Sequence, residues 1–310
     1  MCPSPRDAGA EGRTDGRSVR HRHSAARQDG AVPELPQMQA LAERLDAAVA
    51  GRVVAGFETH SFSSLKTVVP PPDALVGRAV DRVTRRAKYL VLDLGDAGRL
   101  LVHLSQAGRL DVEDPPKRTK PRGSVVRVRF ADGPALLVRE YGKERKAAWW
   151  VLAPGDDGPL AGLGPEPDSD AFAELVLHGD DRRRIHTWLR DQRSVAGVGR
   201  GYADDALWRA RLSPYATLAA LDADGRAALL DAIRGVMTDG LELERARTGG
   251  LSEPKLGGNF EVHGRHGSPC PRCGDTMRRV SYESHEVTYC PRCQTGGKVL
   301  ADRRLSRLLK

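Results

Sequence analysis

Apolar side chains recur at helical spacing over Met38, Leu41, Ala42, Leu45, Ala48 and Val49, between Pro36 and Gly51. That stripe predicts an amphipathic helix that stops at Gly51. Pro36 suits its first turn, where a missing N–H costs nothing. Downstream the pattern shortens. Arg52–Phe57, Leu75–Val83, Lys88–Leu94, Leu100–Leu104, Val125–Phe130, Ala135–Val138 and Ala147–Leu152 are brief apolar runs, punctuated by turns such as Gly95-Asp96 and Asp132-Gly133. Many short strands with turn signals between them predict a β-sandwich or barrel. Residues 153–167 are loaded with Pro, Gly and Asp and read as a linker. Helical spacing then returns over Ala171–Leu177, Arg183–Arg190, Ala203–Ala210 and, at greater length, roughly Asp222–Arg245. The expected organisation is α+β and multidomain: an extension over 1–31, a helix plus β-sandwich over 32–152, the linker, a helical unit over 168–259, and a cysteine-bearing unit over 260–310.

Composition narrows the partner. The chain has 310 residues and a net charge of +8, with a pI near 9.4, and its arginines cluster. A polyanion is expected, with nucleic acid ahead of an anionic membrane surface. No apolar run approaches membrane-spanning length, and no signal-peptide core is present, so a cytoplasmic address is expected. Residues 1–31 contain no Leu, Ile, Phe, Tyr or Trp and cannot bury a core. They read as translated upstream sequence, as a loose tail, or as a basic arm.

Four of the five cysteines form Cys270-Pro-Arg-Cys273 and Cys290-Pro-Arg-Cys293, a C-x2-C-x16-C-x2-C pattern. This is zinc-ribbon spacing. Four thiolates close a tetrahedral site and leave no position open for chemistry, so one structural zinc is expected. A redox dithiol is the alternative. Arg272, Arg278, Arg279 and Arg292 suit this hairpin to phosphates.

Two further stretches bear chemistry. Val195-Ala-Gly-Val-Gly-Arg-Gly-Tyr202 is a glycine turn leading into a helix, where backbone N–H groups and Arg200 are expected to hold a phosphate. Residues 179–200 carry six Arg and three Asp, net +3 (6 − 3). At the start of the first helix, Pro33 is followed at once by Glu34. If Pro33 is a chain end, exposed by removal of an initiator residue at Val32, it sets a nucleophilic amine beside a carboxyl.

These pieces together resemble the bifunctional DNA glycosylases of the formamidopyrimidine-DNA glycosylase and endonuclease VIII family. The likeness covers residues 32–310. The family's Met-Pro-Glu-Leu-Pro-Glu opening appears as Val32-Pro33-Glu34-Leu35-Pro36-Gln37, and its strand lysine as Lys88 in Arg86-Ala-Lys-Tyr-Leu90. Its Gly-Leu-Gly-Pro-Glu-Pro linker is Gly162–Pro167. Its helix–two-turns–helix motif looks like Trp188–Asp205, and its finger lead-in like Gly264–Cys270.

The resemblance implies excision of oxidised bases from damaged duplex DNA. A base is flipped into the cleft between two domains. Pro33 attacks the sugar C1′ to form a Schiff base, and Glu34 acts as general acid/base. Lys88 holds a neighbouring phosphate, and Gln106, Arg145, Arg200 and His285 contact DNA. It implies a monomer associated with the nucleoid, with zinc on Cys270, Cys273, Cys290 and Cys293. Five positions depart from the family pattern. Gln37 stands for Glu, Gln106 for an intercalating Met, Lys146 for a wedge Phe, Arg200 for a phosphate-binding Asn, and His285 for the finger's Arg. A protein of the same fold that binds lesions or abasic sites without turnover is the alternative.

Overall fold

The computed structural model describes residues 33–141, 146–247, 260–282 and 285–301. Helix α1 (Leu35–Val49) starts with Pro36 in its first turn and ends before Gly51, as the stripe predicts. Eight strands follow in the first half: β1 (Val54–Thr59), β2 (Arg82–Arg86), β3 (Tyr89–Asp93), β4 (Arg99–His103), β5 (Gly108–Glu113), β6 (Ser124–Phe130), β7 (Ala135–Glu140) and β8 (Ala148–Leu152). They form two antiparallel four-stranded sheets, ordered β1-β6-β7-β5 and β2-β3-β4-β8. Alternate residues of both sheets meet in one core. Leu90, Leu92, Leu100, Val102, Trp149 and Val151 face Val126, Val128, Leu136 and Val138, and α1 adds Met38, Leu41, Leu45 and Val49. This is the expected sandwich.

Two strand expectations need correction. Leu75–Val83 is not one strand. The chain leaves a 3-10 helix at Leu75 and turns at Gly77, where φ is 80°, before β2 starts at Arg82. Conversely, β5 was not expected, although Arg-Leu-Asp-Val-Glu alternates polar and apolar residues over 109–113. Its Glu113 is buried all the same. It accepts from the fully buried Arg127 of β6 at 2.8 Å, and Arg127 also donates to Glu58 of β1 at 2.5 Å. Charge pairing here occupies places that apolar residues usually take.

The second half holds α2 (Asp170–His178), α3 (Ile185–Arg190), α4 (Arg200–Arg209) and α5 (Ala223–Ala246). Ser169 and Asp222 cap α2 and α5 through their side-chain oxygens. Their apolar faces form a separate core around Phe172, Trp188, Leu207, Leu229 and Ile233. The cysteine region adds an antiparallel hairpin, β9 (Arg278–Tyr282) and β10 (His285–Tyr289), and the single turn α6 (Pro291–Gln294). No helix among the described residues is long and apolar enough to cross a membrane.

Candidate active site

The start of α1 leaves the sandwich and enters the helical core. Leu35 belongs to that second cluster, and its N–H donates to Gly197 O at 3.0 Å. Pro33 and Glu34 are both buried at this crossing. The glycine turn of residues 195–202 is shaped by what it receives. A Cβ on Gly197 would lie 2.8 Å from Leu35, one on Gly199 2.4 Å from the Glu34 carboxyl carbon, and one on Gly201 2.2 Å from the ring of Phe260. Gly197 also sits at φ +90°, where other residues are strained.

The expected phosphate cradle in this turn is already filled. Glu34 Oε2 accepts from Gly199 N at 2.6 Å, and its Oε1 accepts from Gly201 N at 2.9 Å. The positive end of α4 and its free amides hold a carboxylate of the chain itself. The sequence could not show this, because the partner lies so far away along the chain.

Gln37 completes the lock. Its Oε1 accepts from Glu34 N at 3.1 Å, while its Nε2 donates to Tyr202 OH at 3.0 Å and to Glu244 of α5 at 3.2 Å. A glutamine amide suits this position, because it both accepts and donates. A carboxylate at 37 would face the buried carboxylate of Glu244.

Lys88, in the tight turn between β2 and β3, reaches the same place. Its Nζ donates to Val198 O at 2.9 Å. Burial pulls its pKa below the ordinary lysine range, opposed by Glu34 and assisted by Arg190 and Arg200. The turn is held by Glu166 of the linker, which accepts from Ala87 N at 2.7 Å and pairs with Arg85 and Arg86 at 2.6 and 2.8 Å. Ala87 takes φ 52° there. His103, at the end of β4, lies close to Lys88 and is not among the residues singled out from the sequence. Burial and then the Lys88 charge bring its pKa down to about 4, so it is neutral near pH 7, and its ring lies 4.8 Å from that of Tyr89. The signal was available: His103 closes an apolar strand paired with the strand that Lys88 opens.

The other expected DNA contacts are spread out. Arg200 is the first residue of α4 and close enough to Lys88 to affect its charge. Gln106 is exposed in the β4–β5 turn. Arg145 lies outside the described residues, and of His285 only the backbone, at the start of β10, is described.

The four cysteine sulfurs lie within 4.8 Å of one another. Their tetrad fits one structural zinc held by Cys270, Cys273, Cys290 and Cys293. Helix α4 carries this finger. Trp208 Nε1 donates to Cys270 Sγ at 3.3 Å, and Arg272 stacks over the Trp208 ring at 4.1 Å. Asp205 accepts from the N–H groups of Glu261, Val262 and His263 at 2.7, 2.9 and 3.1 Å. Asp204 accepts from Thr288 N at 3.1 Å and meets His263 Nδ1 at 2.6 Å.

Comparison with known proteins agrees with this layout. Family models match three successive stretches: the formamidopyrimidine-DNA glycosylase N-terminal domain over residues 32–143, its H2TH domain over 163–250, and the zinc finger found in FPG and IleRS over 267–296. The chain is 34% identical over 280 residues to formamidopyrimidine-DNA glycosylase of Chloroflexus aggregans, covering 85% of this chain and 98% of that one. It is 32% identical over 293 residues to the enzyme of Mycolicibacterium gilvum, covering 86% and 100%. Among solved structures it is similar to Lactococcus lactis Fpg bound non-covalently to DNA containing an abasic site. The TM-score is 0.75 at 23% identity, over 84% of this chain and 99% of that one.

Proposed function

The chain belongs to the formamidopyrimidine-DNA glycosylase family, and we propose that it is a bifunctional DNA glycosylase and abasic-site lyase acting on oxidised bases in duplex DNA. The observation that carries this reading is the convergence of Glu34, which directly follows Pro33 ahead of α1, and of Lys88 from the β2–β3 turn onto the glycine turn before α4. In this reading nucleophile, carboxylate and cation come together where the two cores meet, with Arg190 and Arg200 close enough to act on the Lys88 charge.

In this reading the Pro33 nitrogen, as a free secondary amine, attacks C1′ of the flipped nucleotide. The electrons of the C1′–N bond leave with the base, which takes up a proton. The sugar ring opens to an iminium ion on Pro33. The iminium acidifies the C2′ proton, whose loss expels the 3′ phosphate and cuts the strand. Glu34 exchanges protons near the ribose. Lys88 and Arg200 draw the flanking phosphates in, as does His285 on the finger. An α-amine suits this role because at about 7.7–8.0 much more of it is neutral near pH 7 than of a lysine at about 10.4; a prolyl amine is more basic than that average, so the site must help.

The test is borohydride trapping. A chain beginning Met-Pro33, with the methionine removed, should cross-link to DNA bearing an oxidised base or an abasic site. A chain with residues 1–32 intact should not, because an internal proline nitrogen is an amide without a free lone pair. Efficient trapping of an intact full-length chain would place the nucleophile elsewhere, with Lys66 or Lys88 first to examine.

A further inference from the structure

Phe62 leaves 83% of its surface in water, although a phenyl ring is among the most rewarding groups a fold can bury. It stands on a 3-10 turn, Phe62–Ser64, that is firmly anchored. On one side Ser61 N donates to Val125 O of β6 at 3.0 Å. On the other, Leu65 lies beside Trp149 of β8 and packs on the sandwich core, and Lys66 N donates to Trp149 O at 3.0 Å. Both sheets thus hold an aromatic ring out of the protein.

The turn is at the site end of the sandwich. Lys88 precedes Tyr89, which pairs with His103, which pairs with Ala148, the first residue of β8. Leu65 lies one strand further out, level with Trp149. Three strand spacings of about 4.8 Å put the turn roughly 14 Å from the strand that Lys88 opens. Cations surround it. Lys66 Nζ donates to Ser63 O at 2.5 Å, Lys120 Nζ donates to His60 O at 3.5 Å, and Arg122, three residues before Val125, is exposed. An apolar ring among cations matches a duplex, whose phosphates take the charges and whose base steps take the wedge.

We propose that Phe62 inserts into the base stack of duplex DNA lying across this end of the sandwich, within about four base pairs of the phosphate at Lys88, at a rise of about 3.4 Å per pair. The wedge unstacks one step and bends the duplex, which favours extrusion of the damaged nucleotide. The inference rests on the glycosylase reading above.

The experiment uses the active chain and duplexes carrying a tetrahydrofuran abasic analogue, with 2-aminopurine placed in turn at each position up to six pairs away. The wild-type protein should raise 2-aminopurine fluorescence at one step. Phe62→Ala should abolish that rise and weaken binding about tenfold, toward the low end for an aromatic–base stack. Its salt slope should not change, since no phosphate contact is lost. Phe62→Trp should restore both signals. Wild-type fluorescence and affinity in Phe62→Ala would overturn the wedge and leave the glycosylase reading standing. A wild-type chain with no preference for damaged duplex would overturn both.

Discussion

Glu34 and Gly199 lie 165 residues apart in sequence, yet the carboxylate oxygen of one is 2.6 Å from the amide nitrogen of the other. The contact orients the residue proposed as general acid/base, and it exists only because Gly199 has no side chain. Gly199→Ala would set a Cβ 2.4 Å from the Glu34 carboxyl carbon. We expect base excision to fall at least about tenfold, since small misplacements of a catalytic group are costly. Nicking of a preformed abasic site should fall less. Parallel assays on the two substrates check this, and equal losses would contradict it.

The Gln37–Glu244 contact gives a second prediction. Gln37→Glu would set two buried carboxylates about where an amide and a carboxylate now meet at 3.2 Å. Stability at pH 7 should drop by about 1–3 kcal/mol, the penalty for a buried group left without a partner. Adding Glu244→Gln should recover most of it. Urea unfolding of the four proteins, read as a double-mutant cycle, measures the coupling.

His103 makes a pH prediction. Its folded pKa, near 4, lies below the ordinary 6.5 because burial and then Lys88 disfavour its charge. A histidine kept neutral by the fold contributes stability above pH 6.5 and loses that contribution as pH falls towards 4. His103→Gln should therefore flatten the decline in melting temperature between those pH values. An unchanged profile would show that other groups control acid unfolding.

Metal removal gives the fourth. The protein should carry about one zinc per chain, and Cys290→Ser should lose the metal and DNA affinity together. Trp208 touches Cys270, so chelation should also shift tryptophan fluorescence. Full DNA affinity in reduced, metal-free protein would contradict this.

Much of the fold was legible because apolar period and turn residues agreed. α1, β3, β4, β6 and α5 follow the pattern to within a few residues. β5 carries a period of two in Leu110 and Val112 that was passed over, but the burial of its Arg109 and Glu113, the latter through Arg127, is something no local pattern reveals. The cysteine tetrad could be read from spacing, since each pair is a short turn. The Glu34 cradle could not. The glycine turn looked like an anion site and is one, but its anion arrives from the other end of the chain. Gln37 looked like a plain departure until Glu244 appeared opposite it.

The crossing of α1 between two cores has a consequence for how the molecule can be divided. Leu35 fills a space in the helical core, whereas Met38, one turn later, is in the sandwich. A cut in the linker at residues 153–167 would therefore not yield two self-sufficient fragments. The C-terminal piece would keep a vacant socket at Gly197 and Gly199, shaped for the first residues of α1. Mixed together, the two pieces should reassemble as complementing fragments, with the proposed catalytic residues acting as the plug.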